Sequence, residues 1–329
     1  MHVVTLKRLI FLILPLFCIA ANTDKLNFNI EYLTIQEGLP HTDANVVIQD
    51  KDGIIWIGTY AGLCKYDGYQ IETFYQEQEN FSNSYVNRIL DISIDEEGKF
   101  WLATVAGIQC FDPATKEFMP LTIYAKDSQH AVNKNIEKIL SVKDSYVLIK
   151  DADNQFYMYE CVSKNMLREI NIDINARCYS MQKDKQNRVW LSTDQGCFIF
   201  DSGRVINQLE LPNTILSDEG KVIRYTFLDS HNQLFIATEK NLYVSNSFQF
   251  INSKNSEGSI YKLNKLKKLP VSFENGLITD IVEDFKNNYW VSTTKGLFIL
   301  TPEKGELNVA SFYAGKAPNS INSDFIIDL

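Results

Sequence analysis

Residues 46–67 read VVIQDKDGIIWIGTYAGLCKYD. Apolar and polar residues alternate through Val46, Ile48, Ile55, Ile57 and Leu63, and Asp52-Gly53 interrupts the alternation. A period of two around a glycine-bearing turn predicts two strands in a hairpin followed by a third, a β-meander.

The meander recurs. Written as Asp-x-x-Gly/Asn-x-x-Trp/Phe, its turn fits Asp50-Gly53-Trp56, Asp95-Gly98-Trp101, Asp184-Asn187-Trp190, Asp229-Asn232-Phe235 and Asp284-Asn287-Trp290. Each ring is followed by Thr (Thr59, Thr104, Thr193, Thr238, Thr293) and then by Gly62, Gly107, Gly196 and Gly296, with Asn241 in the fourth copy. Successive rings are 45, 89, 45 and 55 residues apart, so a degenerate unit is hidden between Trp101 and Trp190. Repeats of about 40 to 50 residues with four strands each are the signature of propeller blades. The expected fold is all-β: a β-propeller of four-stranded blades, six of them full, with part of a seventh and an incomplete ring.

Each repeated residue type has a physical task. Gly or Asn at the hairpin tip accepts the positive φ that a tight turn demands, and the preceding Asp can accept hydrogen bonds from the turn's amides. The Trp or Phe offers a large apolar surface to the seam between blades, since an isolated four-stranded sheet cannot bury both faces.

The 329 residues, 45% hydrophobic and 12% aromatic, suffice for a large core. The formal charge is −9, and removal of a leader carrying Lys7 and Arg8 leaves 30 basic against 41 acidic residues. That balance argues against nucleic acid or anionic lipid as the main partner. Residues 1–21 combine Lys7-Arg8, the apolar run LIFLILPLFCIA and small residues at Ala20 and Ala21, the pattern of a signal peptide, with an uncleaved anchor as the alternative. Residues 22–329 are then the propeller. The cysteines after the leader (Cys64, Cys110, Cys161, Cys178, Cys197) are odd in number and share no spacing, which argues against a disulfide framework.

Along the chain, Phe28 to Thr34 alternates and is expected as an outer strand that closes the ring. Blades are expected over about 44–76, 86–124, 135–170, 177–211, 222–250 and 278–312. The third lacks the Asp, Gly and Trp and rests on alternation and spacing. Residues 252–268, rich in Lys, Asn and Ser, read as a solvated loop or an enlarged outer strand. NSINSDFIIDL at the end resembles NSYVNRILDI at 83–92, the lead-in to a blade, so the chain reads as the front portion of a longer protein.

The run GLPHTDANVVIQDKDGIIWIGTYAGLCKYDG, echoed by GKFWLATVAGIQCFD and NYWVSTTKGLFIL, resembles the two-component regulator propeller repeat. The resemblance covers nearly all of residues 28–329. It implies the periplasmic sensor region of a hybrid two-component histidine kinase, responding to an oligosaccharide. It also implies downstream sandwich, membrane, kinase, receiver and DNA-binding parts outside this chain, and a homodimer.

Other chemistry finds little support. Asp50-Lys51-Asp52-Gly53 lacks the further ligands of a calcium loop. The sialidase Asp-box has Asp-x-Gly, whereas every copy here has Asp-x-x-Gly/Asn, and nothing groups Arg177, Arg188, Arg204 and Arg224 into a triad. His41, His130 and His231 share no ligand spacing, so neither a metal nor a cofactor is expected. No nucleophile elbow, phosphate loop or dinucleotide fingerprint occurs.

Propeller geometry places the loops between second and third strands, and those entering each first strand, on one face. That face collects Tyr60, Asp194, Gln195, Glu239 and Lys295, with His41, Asp43, Asn87, Arg177 and Arg224. Tyr60, Asp194, Glu239, Lys295, Arg177 and Arg224 are the candidate ligand-binding residues, since Tyr and Arg beside carboxylates suit a sugar. Besides the sensor, two readings stay open: a non-catalytic interaction scaffold from a truncated sensor gene, and a propeller hydrolase or lyase.

Overall fold

The computed structural model describes residues 30–76, 84–119, 121–124, 134–142, 146–163, 166–170, 174–201, 205–213, 215–216, 220–251, 260–269, 276–303, 306–315, 320–321, 323, 325–326 and 328–329. The leader lies outside them. Blade one is β1 (Ala44–Gln49), β2 (Ile55–Thr59), β3 (Gly62–Tyr66) and β4 (Ile71–Phe74); blade two is β5 (Ile89–Ile94), β6 (Phe100–Thr104), β7 (Gly107–Asp112) and β8 (Glu117–Met119). A short β9 (Thr122–Tyr124) then adds in parallel to the outer edge of blade three, which is β10 (Ile136–Val142), β11 (Tyr146–Asp151), β12 (Phe156–Ser163) and β13 (Met166–Ile170). Blade four is β14 (Cys178–Lys183), β15 (Val189–Thr193), β16 (Gly196–Asp201) and β17 (Val205–Glu210). Blade five is β18 (Tyr225–Leu228), β19 (Leu234–Ala237), β20 (Leu242–Ile251) and β21 (Ile260–Lys268). Blade six is β22 (Ile278–Glu283), β23 (Tyr289–Thr293), β24 (Gly296–Glu303) and β25 (Glu306–Phe312). Each is an antiparallel meander, as expected from the repeat.

The repeated Asp nucleates the hairpin between first and second strands. Asp50 Oδ1 accepts from the Asp52 and Ile54 amides, both at 2.9 Å, while Gly53 at the tip has φ +82°. Its second oxygen takes the Trp56 indole N–H at 2.8 Å. The same pairing joins Trp101 to Asp95, Trp190 to Asp184 and Trp290 to Asp284 at 3.0, 2.9 and 3.1 Å. The ring therefore does more than fill a seam, because its buried N–H also satisfies the turn carboxylate. At the other end of the second strand Thr59 donates to the Gly62 carbonyl at 2.9 Å, and a Cβ on Gly62 would stand 2.8 Å from the Phe74 carbonyl oxygen.

Blade three corrects the expectation that it lacks the turn. Asp151-Ala152-Asp153-Asn154-Gln155-Phe156-Tyr157 is that turn, moved to the opposite end of the blade between β11 and β12. Asp151 Oδ1 accepts from the Gln155 amide at 2.8 Å, Asn154 has φ +61°, and the Tyr157 hydroxyl stands 3.4 Å from Asp151 Oδ2. Asp151 fills the place that Thr holds in the other blades: the Ala152 amide donates to the Asn135 carbonyl as the Tyr60 amide donates to that of Asp43.

Apolar side chains fill the seams. Trp56 packs with Ile89, Phe100 and Phe111 of blade two, meeting Phe100 edge-on at 4.7 Å. Trp101 packs with Ile139 and Val147, Trp190 with Ile223 and Ile236, and Phe235 with Tyr289 and Phe298. Met158 and Leu191 share the seam between blades three and four. Burying such a ring contributes about 1.5–3 kcal/mol. Trp290 is only half-buried. The free thiols Cys64, Cys110, Cys178 and Cys197 lie in this core, where burial pushes them up to about 11 for Cys64 and about 12 for the rest.

Of the two readings of residues 252–268, the outer strand holds for 260–268: they are the fourth strand of blade five, pairing antiparallel with β20 and parallel with β17 of blade four, which merges two blades into one sheet. Two expectations change. Residues 30–34 form no strand; Thr34 instead caps a 3-10 turn over Ile35–Glu37, its amide held by Glu37 Oε2 at 2.8 Å, and Phe28 lies outside the described residues. The described residues of 323–329 form no strand, yet they stand where an inner strand would. The Ile326 amide donates to the Thr293 carbonyl at 3.2 Å, the Leu329 amide to Asp280 Oδ2 at 3.2 Å, and the Val47 amide to Asp328 Oδ2 at 2.8 Å. These bonds link blade six to blade one in the manner of Asp91, which takes the Ile139 amide at 2.9 Å between blades two and three. No helix among the described residues is long and apolar enough to cross a membrane.

Candidate functional site

The meanders give the molecule two rims. The turn rim carries the hairpins between first and second strands; the entry rim carries the turns between second and third strands and the segments that lead into each first strand. On the entry rim the two kinds of loop are tied together, as where the Asp194 and Thr294 amides donate to the Arg177 and Leu277 carbonyls at 3.0 and 2.9 Å.

Four expected site residues gather on the entry rim at blades four and five. Arg224 lies flat over the Tyr179 ring, 4.0 Å from its centroid, with Arg177 at 5.7 Å from the same ring. Arg224 Nη2 bonds Glu239 Oε1 at 2.5 Å, and Asp194 Oδ1 accepts the Arg177 amide at 2.9 Å. Asp194 is thus committed to holding the lead-in. Tyr60 stands apart at blade one, 5.7 Å from the His41 ring and 5.9 Å from the Arg88 guanidinium, which also stacks on Tyr85 at 4.6 Å. Lys295 is exposed in the turn of blade six, its amide bonded to Thr293 Oγ1 at 2.9 Å.

Tyr179 is the residue that sequence reasoning missed. It sits on the bulge of β14, where the register slips between Cys178 and Ser180, and the slip turns its ring to the arginines. A cavity of about 290 Å³ opens beside it, lined by Lys138, Lys150, Asn154, Arg177, Tyr179 and Ser180 among others. Lys150 pairs with Glu137, and Lys138 with Asp91 at 3.4 Å, a carboxylate that holds the ammonium above its usual range. Asn154 spans to the next blade, donating to the Ala176 carbonyl at 2.8 Å and accepting from the Cys178 amide at 3.0 Å. Two buried polar atoms here, Ser180 Oγ and Arg224 Nε, have no partner among the described residues. The arrangement can hold an oxygen-rich ligand by hydrogen bonds and charge.

The axis below is lined by Asp91, Lys138, Asp280 and Asp328 around a cavity of about 190 Å³. Burial, reinforced by the Asp280 charge, pushes Asp328 up to about 7. On the turn rim a cavity of about 380 Å³ lies among Lys183, Asp184, Trp190 and Glu283. There Asp229, His231 and Glu283 bring ligand atoms within 4.8 Å of one another, a grouping their spacing did not suggest. Chain donors already occupy their oxygens: Asp229 takes the His231 amide and the Tyr289 hydroxyl at 2.8 and 2.7 Å, and Glu283 takes the Ser230 amide and hydroxyl at 2.7 and 2.6 Å.

Comparison with known proteins follows the fold. Residues 38–61 match the family described as two component regulator propeller. A histidine kinase P4 of Formosa agariphila is 24% identical over 156 residues, 45% of this chain and 11% of that protein. The extracellular domain of a putative hybrid two component system from B. thetaiotaomicron superposes with a TM-score of 0.65 at 18% identity, over 92% of this chain and 39% of that one. Virginiamycin B lyase from Staphylococcus aureus is similar at 0.57 and 9% identity, over 84% of this chain and 85% of that one. The chain thus spans about two fifths of the extracellular domain it resembles and about a tenth of the kinase. Residues 38–61 thus match that repeat, and the blades have the fold of such an extracellular domain.

Proposed function

We propose, from the repeat match at residues 38–61 and the propeller fold around it, that the chain is the ligand-sensing propeller of a hybrid two-component regulator, lying in the periplasm and responding to an oligosaccharide. The observation that carries the reading is the coincidence of the family match at residues 38–61 with a propeller likeness over 92% of the chain to the extracellular domain of such a system. The entry rim is the ligand face in this reading, and recognition rather than reaction is its task. Binding there is passed to modules beyond the propeller, up to a kinase in the same protein.

Calorimetric titration of the chain with a panel of neutral and acidic oligosaccharides tests this. Saturable heat and a raised melting temperature with at least one glycan are expected. Binding of none, together with stable association with a protein partner, overturns it in favour of a scaffold. Turnover of a glycan or of a streptogramin overturns the non-catalytic part and favours a hydrolase or lyase.

A further inference from the structure

We infer that the entry-rim mouth at blades three to five takes the oxyanion of an acidic saccharide, with Arg177 and Arg224 as the gripping residues and Glu239 as the carboxylate that the ligand displaces. The inference rests on the glycan-sensing reading above and narrows it to a ligand class.

The protein carries a formal charge of −9, so a local gathering of guanidinium groups runs against its bulk character. Arg177 is exposed and has its backbone, rather than its side chain, engaged by Asp194. Arg224 is held on one side by the Tyr179 ring and on one edge by Glu239. The Glu239 side chain is half exposed, and an ion pair at such a site is worth little. Arg224 Nε–H, meanwhile, is buried without an acceptor among the described residues, a state that costs free energy for a polar group. A swing of the guanidinium toward the cavity therefore exchanges a weak contact and an orphaned donor for a bidentate pair with a ligand carboxylate, the geometry that arginine suits best. Ser180, only 6% exposed, lines the same cavity with an Oγ that has no partner, ready for a sugar hydroxyl. At about 290 Å³ the cavity is at the lower end of the range that takes small ligands, which suits one terminal sugar and not a buried chain.

Titration of the whole chain with glucuronosyl-β-1,4-glucose, and with cellobiose, which has a hydroxymethyl group in place of the carboxylate, tests the inference. The acidic disaccharide is expected to bind at least about tenfold more tightly, a difference of about 1.4 kcal/mol. Arg177→Ala and Arg224→Ala should each erase that preference, and Glu239→Gln should strengthen binding of the acid severalfold by removing its competitor. Because Arg177 is exposed, its variant keeps the test valid should Arg224→Ala fail to fold. A 6-sulfated cellobiose separates a planar carboxylate from a tetrahedral sulfate, and preference for either over cellobiose supports the oxyanion site. Equal binding of cellobiose and the acid, or a preference that survives both arginine substitutions, overturns the inference while leaving glycan sensing intact. Failure of all three sugars to bind, with a neutral oligosaccharide of the wider panel binding, overturns it in the same way; failure of every glycan overturns both readings.

Discussion

The two rims of this propeller spend their polar groups differently. On the turn rim each repeated Asp is consumed: Asp184 accepts from the Gln186 and Arg188 amides at 2.9 Å each, from Arg188 Nε at 2.6 Å and from the Trp190 indole at 2.9 Å. On the entry rim the backbone is tied just as firmly by Thr, Asp and Asn, but around Tyr179 polar atoms are left over. A buried donor or acceptor without a partner costs free energy, so its persistence marks a place where something other than folding sets the sequence. The comparison teaches that acidic residues, abundant on both rims, are poor pointers to a ligand; unspent donors are better ones.

Substitutions can break or sharpen that contrast. Asp184→Ala removes the acceptor of four donors, so a loss of about 3–5 kcal/mol is expected in urea denaturation, the scale of breaking a buried hydrogen-bonded ion pair. Glycan affinity of the folded fraction should be unchanged, and a loss of affinity instead would erase the distinction between the rims. Tyr289→Phe is subtler. Blade five has Phe235 where other blades have Trp, and the missing indole donor is supplied from the next blade by the Tyr289 hydroxyl, 2.7 Å from Asp229 Oδ2. Its loss should cost about 1–3 kcal/mol, the penalty of an unsatisfied buried acceptor, read from the denaturation midpoint.

The axis between the rims predicts a pH dependence. Asp328 keeps its proton to about 7 when folded, because it is buried near Asp280 and Asp91, with Lys138 only partly offsetting them. An unfolded Asp releases it near pH 4, so between these values the folded state binds more protons and stability falls as pH rises. The slope from this group is at most about 1.4 kcal/mol per pH unit, flattening above pH 7. Denaturation between pH 5 and 8 should show the decline, and Asp328→Asn should remove it; an unchanged slope in that variant would assign the titration elsewhere. Smallest is the effect of Arg177→Ala on stability, within about 0.5 kcal/mol as for an exposed residue without a structural bond. A larger destabilisation would place Arg177 among the structural groups and not the available ones.

Much of the fold was legible in the chain. The Asp-x-x-Gly/Asn turns are there at Gly53 and Gly98 with φ near +80° and at Asn187, Asn232 and Asn287 near +60°, and the blade boundaries follow the expected ones within a few residues except in blade five, which ends at Lys268 and not near residue 250. What escaped notice was out of register. Asp151-x-x-Asn154 keeps the motif but sits one hairpin later, so a search in register with Trp56 and Trp101 passes over it. The polar composition of 260–268 left a loop and an outer strand open, and the β17 edge beside it decides for the strand. At the candidate site, Arg177, Arg224 and Glu239 were foreseeable as rim residues from loop position alone, whereas Tyr179 was hidden by the bulge that turns it.

The division has a physical origin. Turn chemistry, strand alternation and the pairing of Asp50, Asp95, Asp184 and Asp284 with a Trp six residues on are local, decided by groups a few residues apart in any conformation the hairpin can take, and the sequence by itself determined them. Which blade lends a hydroxyl to its neighbour, which arginine lies on which ring and which carboxylates share the axis depend on the rotation from one blade to the next. That rotation is set by the packing of whole seams, so only the tertiary structure decided it.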